Sequence, residues 1–316
     1  MKKVSMIIPC YNEEDNVELF YKEAVKTYKE QNYKLELVFI DDGSKDNTLK
    51  KLKELTKEQD CEIKVLSFSR NFGKESAIYA GLKNTTGDYT VIIDADLQQP
   101  PELTIKMANI LDENKYDCVC YYQEERIENK LLSKIKNTFY KTMNKMSEVE
   151  LKQGASDFRM FNNKVKNSLL EIKEYYRFSK GIFSWIGYDT KYLPYIPKQR
   201  NSGTTKWSFI KLLKYGISGI ISFSTMPLKL ATYSGLTLSL VAFIYLFIII
   251  IQKLFFEISI PGYPTVVSCI LLIGGFQLFC IGIIGEYLGK TYIETKNRPI
   301  YIIKEEITND KTKKSI

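Results

Sequence analysis

Asp94-Ala95-Asp96-Leu97-Gln98 directly follows the apolar run Tyr89-Thr90-Val91-Ile92-Ile93. Carboxylates at the exit of a buried strand sit at a rim, where a hard divalent cation can be held against phosphate oxygens. Mg²⁺ or Mn²⁺ prefers oxygen ligands, and Gln98 can add an amide carbonyl beside Asp94 and Asp96. The spacing by itself fits a capping or turn role equally well. Histidine is absent from the 316 residues. That excludes His general bases, Ser-His-Asp triads and His-based zinc sites, and leaves acid–base and metal work to Asp, Glu, Lys, Tyr or Cys. The six cysteines form no C-x-x-C pair and read as small apolar filler in a reducing compartment.

The elements that must position these carboxylates follow from periodicity. Short β-like runs alternate with helix-like ones: strands at Val4–Ile8, Leu35–Ile40, Lys64–Ser69 and Tyr89–Asp94, helices over Glu13–Glu30, Asp46–Glu58 and Lys74–Lys83. This pattern predicts an α/β fold with a largely parallel sheet and helices on both faces. Ligands then gather at the carboxyl ends of the strands, where Pro9–Glu13, Asp41–Ser44, Ser69–Lys74 and Asp94–Gln98 all fall. Pro100-Pro101-Glu102 opens a further helix, Tyr116–Tyr122 is a fifth strand, and Lys130–Met146 is amphipathic. Gly154–Phe161 and Lys191–Pro194 read as loop or strand.

A hydrophobic content of 45% hides a sharp split, because residues from about 228 to 289 are mostly apolar. Leu230–Ile251 and Thr265–Gly285 carry no charge, and each is long enough to cross a bilayer. Lys290, Lys296, Arg298 and Lys304 follow the second span, so both ends of the pair are expected on the cytoplasmic side. Trp207–Phe223 mixes aromatic and lysine residues as a helix at a bilayer surface does. The net charge of +8 suits a membrane surface or an anionic substrate; no nucleic-acid-binding module accompanies it. Lys2-Lys3 leads into a run too short for a signal-peptide core. A phosphate-handling rim joined to a membrane anchor points to a lipid-linked substrate.

Five segments in order carry a family resemblance: Ile7-Ile8-Pro9-Cys10-Tyr11-Asn12-Glu13, Ile40-Asp41-Asp42-Gly43-Ser44, Asn71-Phe72-Gly73-Lys74, Asp94-Ala95-Asp96-Leu97-Gln98-Gln99-Pro100, and Gln199-Arg200-Asn201-Ser202-Gly203-Thr204-Thr205-Lys206-Trp207. The chain resembles the family 2 glycosyltransferases of GT-A fold. Within them it looks like the polyisoprenyl-phosphate glycosyltransferases, the bacterial GtrB-type group related to dolichol-phosphate mannose synthases; the two spans and Lys296-Asn297-Arg298-Pro299 match the bacterial branch. The resemblance implies a Rossmann-like GT-A catalytic domain over residues 1–206, an interfacial helix over 207–227, a transmembrane hairpin over 228–289 and a cytoplasmic tail over 290–316. It implies a nucleotide-sugar pocket formed by Pro9, Tyr11, Glu13, Ile40, Asp42, Asp94, Ala95, Arg200 and Lys206, with Tyr11 near the base, Glu13 near the ribose and Asp42 on the base edge. Asp94, Asp96 and Gln98 would gather Mg²⁺ or Mn²⁺ and the donor diphosphate. Arg200 and Lys206 would close over the phosphates from a loop loosened by Gly203.

Asp157, in Ser156-Asp157-Phe158-Arg159, is the catalytic carboxylate the resemblance suggests; a loop aspartate paired with Arg159 is the plainer alternative. Where relatives often carry an arginine after the fifth strand, this chain has Gln123 followed by Arg126. Arg126, Arg177 and Lys180 are candidate contacts to the acceptor phosphate. The implied reaction is inverting transfer of one sugar, UDP-linked glucose or N-acetylhexosamine, to polyprenyl phosphate on the cytoplasmic face of the cell membrane, by a homo-oligomer. The alternatives are a processive polysaccharide synthase, which should carry more spans and a Q-x-x-R-W motif, and a non-catalytic membrane adaptor.

Overall fold

The computed structural model describes residues 1–123, 144, 152, 155–196, 224–256 and 262–309. An eight-stranded mixed sheet forms its centre, in the order β7-β5-β6-β4-β1-β2-β3-β8. β1 (Lys2–Cys10), β2 (Tyr33–Asp41), β3 (Glu62–Phe68) and β4 (Tyr89–Ile92) are parallel to their neighbours among themselves, with β1 between β2 and β4. β5 (Cys118–Gln123) and β7 (Thr190–Tyr195) pair in parallel, while β6 (Ala155–Asn162) runs antiparallel to both β4 and β5. The sheet is therefore less uniformly parallel than the alternation of elements suggested.

Alternation along each strand divides the core into two layers. Val4, Met6 and Ile8 of β1, with Leu37 and Phe39 of β2, join Phe20 of α1 (Val17–Tyr28), Leu52 of α2 (Thr48–Leu55) and Met107 of α4 (Glu102–Asp112). Ile7, Val38 and Ile40 face the other way. They meet Ala77 and Ile78 of α3 (Lys74–Asn84), Val165 and Leu169 of α5 (Asn163–Glu171), and Ile182 of α6 (Ser179–Trp185). Helices on both faces of a sheet whose order reverses around β1 make a doubly wound arrangement, with its ligand crevice outside the carboxyl ends of β1 and β4.

α7 (Met226–Phe256) and α8 (Tyr263–Thr295) are long apolar helices. Each contains a 24-residue stretch, Met226–Ile249 and Leu272–Thr295, long and apolar enough to cross a membrane. Leu230, Phe243, Phe247, Leu272, Phe279 and Leu288 stand exposed, so the rest of the chain does not cover these helices, and a bilayer is the solvent they suit. The Tyr287 hydroxyl donates to the Ser224 carbonyl at 2.6 Å, tying the end of the hairpin to its beginning.

Beyond α8 the chain returns to the sheet. β8 (Ile303–Thr308) pairs antiparallel with β3, and Tyr301 stacks on Phe68 with ring centroids 5.1 Å apart. The sequence predicts only a tail over 290–316. Its charges explain why: Lys304, Glu305 and Glu306 lie on an edge strand, where Glu305 meets Lys53 at 2.7 Å and Glu306 meets Lys64 at 3.1 Å. The amphipathic stretches expected over Lys130–Met146 and Trp207–Phe223 lie outside the described residues, Asn144 apart.

Candidate active site

The rim is built from strand exits that each turn through a left-handed residue. Asn12 (φ 54°) follows β1, Gly43 (φ 67°) follows β2, Gly73 (φ 97°) ends the turn after β3, and Leu97 (φ 57°) follows β4. At Gly43 a Cβ would lie 2.6 Å from the Arg70 carbonyl carbon and 2.8 Å from the Asn71 nitrogen, so only glycine lets these two turns touch. Leu97 is a bulky residue in a conformation usually left to Gly or Asn, a local strain of about 1–3 kcal/mol of the kind that collects at working sites.

Hydrogen bonds stitch these turns to each other. The Asn12 amide donates to Ser44 Oγ at 3.0 Å, and the Lys45 amide returns to Asn12 Oδ1 at 2.9 Å. The Glu13 amide donates to Thr48 Oγ1 at 2.9 Å. Asp41 accepts from the Ser44 amide and from Ser67 Oγ. Asp42 accepts from the amides of Phe72 and Gly73 at 2.6 and 2.9 Å, and burial raises its carboxyl above the usual range against the pull of those bonds. Gln99, buried behind β4, accepts from the Asp94 amide at 3.1 Å, while the Gln98 amide donates to Asp96 Oδ1 at 3.1 Å.

The remaining wall comes from β6. Its last antiparallel pair with β4 is Ile92 with Arg159. Continuing that register by two residues sets Asp94 opposite Asp157. Like charges placed so repel, and a cation lies between them: Lys74 Nζ is 2.6 Å from Asp94 Oδ1 and 3.4 Å from Asp157 Oδ2. Desolvation alone would lower the Lys74 ammonium, but the two carboxylates outweigh it and raise it. Desolvation would raise Asp157, but Lys74, Lys180 and Arg159 overcome it and hold the carboxyl below its ordinary range. Next to Lys74, Glu75 turns the other way and accepts from the Ser179 amide and hydroxyl, fixing the start of α6; burial and Asp157 push its carboxyl up.

Residues 5–170 match the family model described as Glycosyl transferase family 2. The chain belongs to that family. Residues 226–291 match a second model, the GtrB C-terminal hairpin, which covers α7 and most of α8. CsbB of Bacillus subtilis (strain 168), which carries a glycosyltransferase name, is 43% identical over 303 residues, covering 96% of this chain and 91% of its own. A prophage bactoprenol glucosyl transferase homolog of Escherichia coli (strain K12) is 40% identical, covering 96% and 98%. The bactoprenol glucosyl transferase of Shigella phage SfX is 38% identical, covering 96% and 99%. Glucosyl-3-phosphoglycerate synthase from Mycobacterium tuberculosis, solved with Mn²⁺ and UDP-glucose, shares 16% identity over 70% of this chain and 78% of its own, with a TM-score of 0.46; that likeness is too loose to place a ligand.

In this glycosyltransferase Pro9, Tyr11 and Glu13 line the β1 exit, partly exposed, and Glu13 Oε2 accepts from Asn16 Nδ2 at 2.7 Å. Ile40 and Ala95 are buried, so any contribution from them to a ligand passes through the backbone. Asp42, expected at a base edge, commits both carboxylate oxygens to the 72–73 amides and so braces the turn that carries Lys74. Asp157 pairs with Lys74 rather than forming a simple loop pair with Arg159. The Arg159 guanidinium lies over the Phe183 ring and donates to the Ser156 carbonyl. Arg177 is buried, stacked over Tyr79 and donating to the Ile172 carbonyl. Lys180 is half-buried near enough to Asp157 to lower its pKa. Arg126, Arg200 and Lys206 lie outside the described residues. Sequence reasoning set Lys74 at the rim without giving it a role, and did not single out Gln99. Lys74 stood in a quoted motif, and its charge at the first position of a helix, where the dipole disfavours cations, was the available signal.

Proposed function

We propose that this glycosyltransferase transfers one sugar from a UDP-sugar to the phosphate of a polyprenyl carrier at the cytoplasmic face of the membrane, inverting the anomeric centre. The observation that carries the reading is the convergence of Asp94 and Asp157 on Lys74 at the carboxyl ends of β4 and β6, in a chain that also bears a membrane-length hairpin. The names of the relatives support bactoprenol, a polyprenol, as the lipid and glucose as the sugar.

The chain's geometry supports a site close to the bilayer. Glu294, at the end of α8, accepts from the amides of Tyr175 and Tyr176, which lead directly into Arg177, Ser179 and Lys180. Since Tyr287 joins the start of α7, both hairpin ends lie on the catalytic side, and Lys290, Lys296 and Arg298 there favour the cytoplasmic leaflet.

Among the described residues no three His, Cys, Asp or Glu side chains gather into a closed metal cage. The oxygen-only donors Asp94, Asp96 and Gln98 fit instead an ion shared with a diphosphate, since Mg²⁺ is commonly held by one or two carboxylates plus substrate phosphates. Bound there, Mg²⁺ or Mn²⁺ would supply charge neutralisation for the leaving UDP.

In the reaction an oxygen of the lipid phosphate attacks the anomeric carbon, and the bond from that carbon to the UDP oxygen breaks. The second pKa of a phosphate monoester is about 6, so the nucleophile is already largely ionised. Asp157 is a weak base because its carboxyl is held low. It contributes by fixing Lys74 and Lys180 at the attack side, and proton removal is left to bulk water. Pro9, Tyr11 and Glu13 hold the nucleoside, and Arg200, Lys206 and Arg126 supply further charge toward the phosphates. Positioning the two reactants on one rim removes much of the entropic barrier.

The test is a panel of labelled UDP-sugars offered to protein in detergent with undecaprenyl phosphate and Mg²⁺ or Mn²⁺. One lipid-extractable monosaccharide product, with glucose the preferred donor, is the expected outcome. A polymer, or no lipid product from any donor, would overturn the reading.

A further inference from the structure

We propose that Lys74 is a resident counter-cation that holds Asp94 and Asp157 together in the metal-free site and releases Asp94 to the incoming metal–diphosphate, so that metal binding is conditional on the donor. The proposal rests on the reading of Asp94 as a metal ligand.

Three features carry it. Continued two residues past its last pair, Ile92 with Arg159, the β4–β6 register sets the two carboxylates opposite each other, a repulsion that a cation between them relieves. Lys74 is the first residue of α3, the helix end where a positive charge is disfavoured, so its placement is sustained by its partners and not by the helix. The backbone leading into it is fixed: Asp42 holds the Phe72 and Gly73 amides, and Glu75 is anchored to Ser179. Lys74 is thus a flexible arm on a rigid base, with its ammonium nearer Asp94 (2.6 Å) than Asp157 (3.4 Å).

The consequence is competition. A divalent ion approaching Asp94 Oδ1 meets an ammonium already in place. Against a bare ion, proximity favours the lysine at Asp94 Oδ1. When a diphosphate arrives, its oxygens supply both extra ligands for the ion and a new partner for the displaced ammonium, which keeps Asp157 as its second anchor. Lys74 is therefore a positioning residue whose effect should appear in metal affinity before any chemistry.

The experiment titrates Mn²⁺ alone into the detergent-solubilised full chain, following free Mn²⁺ by electron paramagnetic resonance, and repeats it with UDP present. Lys74→Met, which keeps length and loses charge, should bind Mn²⁺ alone roughly tenfold more tightly than wild type and lose most of the further gain that UDP brings, as expected when an opposing charge leaves a carboxylate site. Lys74→Arg should stay near wild type in both titrations. Lys180→Met, which removes a neighbouring cation near Asp157, should change the affinity for Mn²⁺ alone by less than Lys74→Met does. If Lys74→Met misfolds, Asp157→Asn gives the reciprocal reading: Lys74 then serves Asp94 alone, and Mn²⁺ should bind more weakly. Unchanged or weaker Mn²⁺ binding by folded Lys74→Met, an equal effect from Lys180→Met, or tighter binding by Asp157→Asn would each overturn the proposal. None of these titrations depends on sugar transfer, so failure to make a lipid-linked product would count against the function and leave this result standing.

Discussion

Asp42 receives the backbone N–H groups of Phe72 and Gly73 at 2.6 and 2.9 Å, joining the exit of β2 to the turn that launches α3. A buried carboxylate in this position organises the rim by holding two backbone amides. Asp42→Ala should leave both amides unpaired and cost about 2–4 kcal/mol of stability, since hydrogen bonds to charged groups are worth about 1.5–3 kcal/mol each. Chemical denaturation of the detergent-solubilised protein checks the first number. Transfer activity should fall at least tenfold, because Lys74 loses its fixed base.

Gly43→Ala attacks the same junction from the other side. Its Cβ would collide with Arg70 and Asn71 backbone, and alanine disfavours φ of 67°. A loss of about 2–4 kcal/mol is expected, the range of overpacking plus an unfavourable left-handed residue. A thermal midpoint equal to wild type would show that the two turns can separate without penalty.

A pH-dependent clasp lies at the opposite end of the sheet. Asp112 accepts from Lys2 at 2.5 Å, from Tyr89 at 2.7 Å and from Tyr33. Burial alone would raise its carboxyl, but the bonds from Lys2, Tyr33 and Tyr89 prevail and depress it. A depressed carboxyl contributes stability above the unfolded value, near 3.9, and loses it as pH falls through the lower folded value. Asp112→Asn should therefore cost about 1 kcal/mol at pH 7, a modest figure because the pair is partly exposed. The deficit should shrink below about pH 4. Sugar transfer at pH 7 should stay near wild type, since this clasp is remote from the rim.

Tyr301→Ala removes a ring stacked on Phe68 and edged against Tyr79. A half-buried aromatic in such a cluster should cost about 1–3 kcal/mol. Protection of the β3 amides from hydrogen exchange should drop with it, because β8 would detach more readily.

Much of this was legible from residue order. The apolar runs at Val4–Ile8 and Leu35–Ile40 are central strands buried on both faces, and the helix expected over Lys74–Lys83 is present over Lys74–Asn84. Gly154–Phe161 left loop and strand open because Ser156, Asp157 and Arg159 interrupt its apolar residues; Asp157 is the one of them that β6 brings to Lys74. β8 carried too little apolar signal for an edge strand that pairs across some 240 residues of chain. The roles of Asp42 and Lys74 depend on which backbone amides and carboxylates converge in space, and no local pattern encodes that.

The attachment of β8 to β3 bears on how the protein is made. β3 leaves the ribosome early, whereas its partner emerges only after α7 and α8 have been synthesised. During that interval β3 presents an open edge, a hazard for misassociation. Closure of the sheet therefore reports that the hairpin has been completed, and a chain stalled before Ile303 would expose this edge to chaperones and proteases.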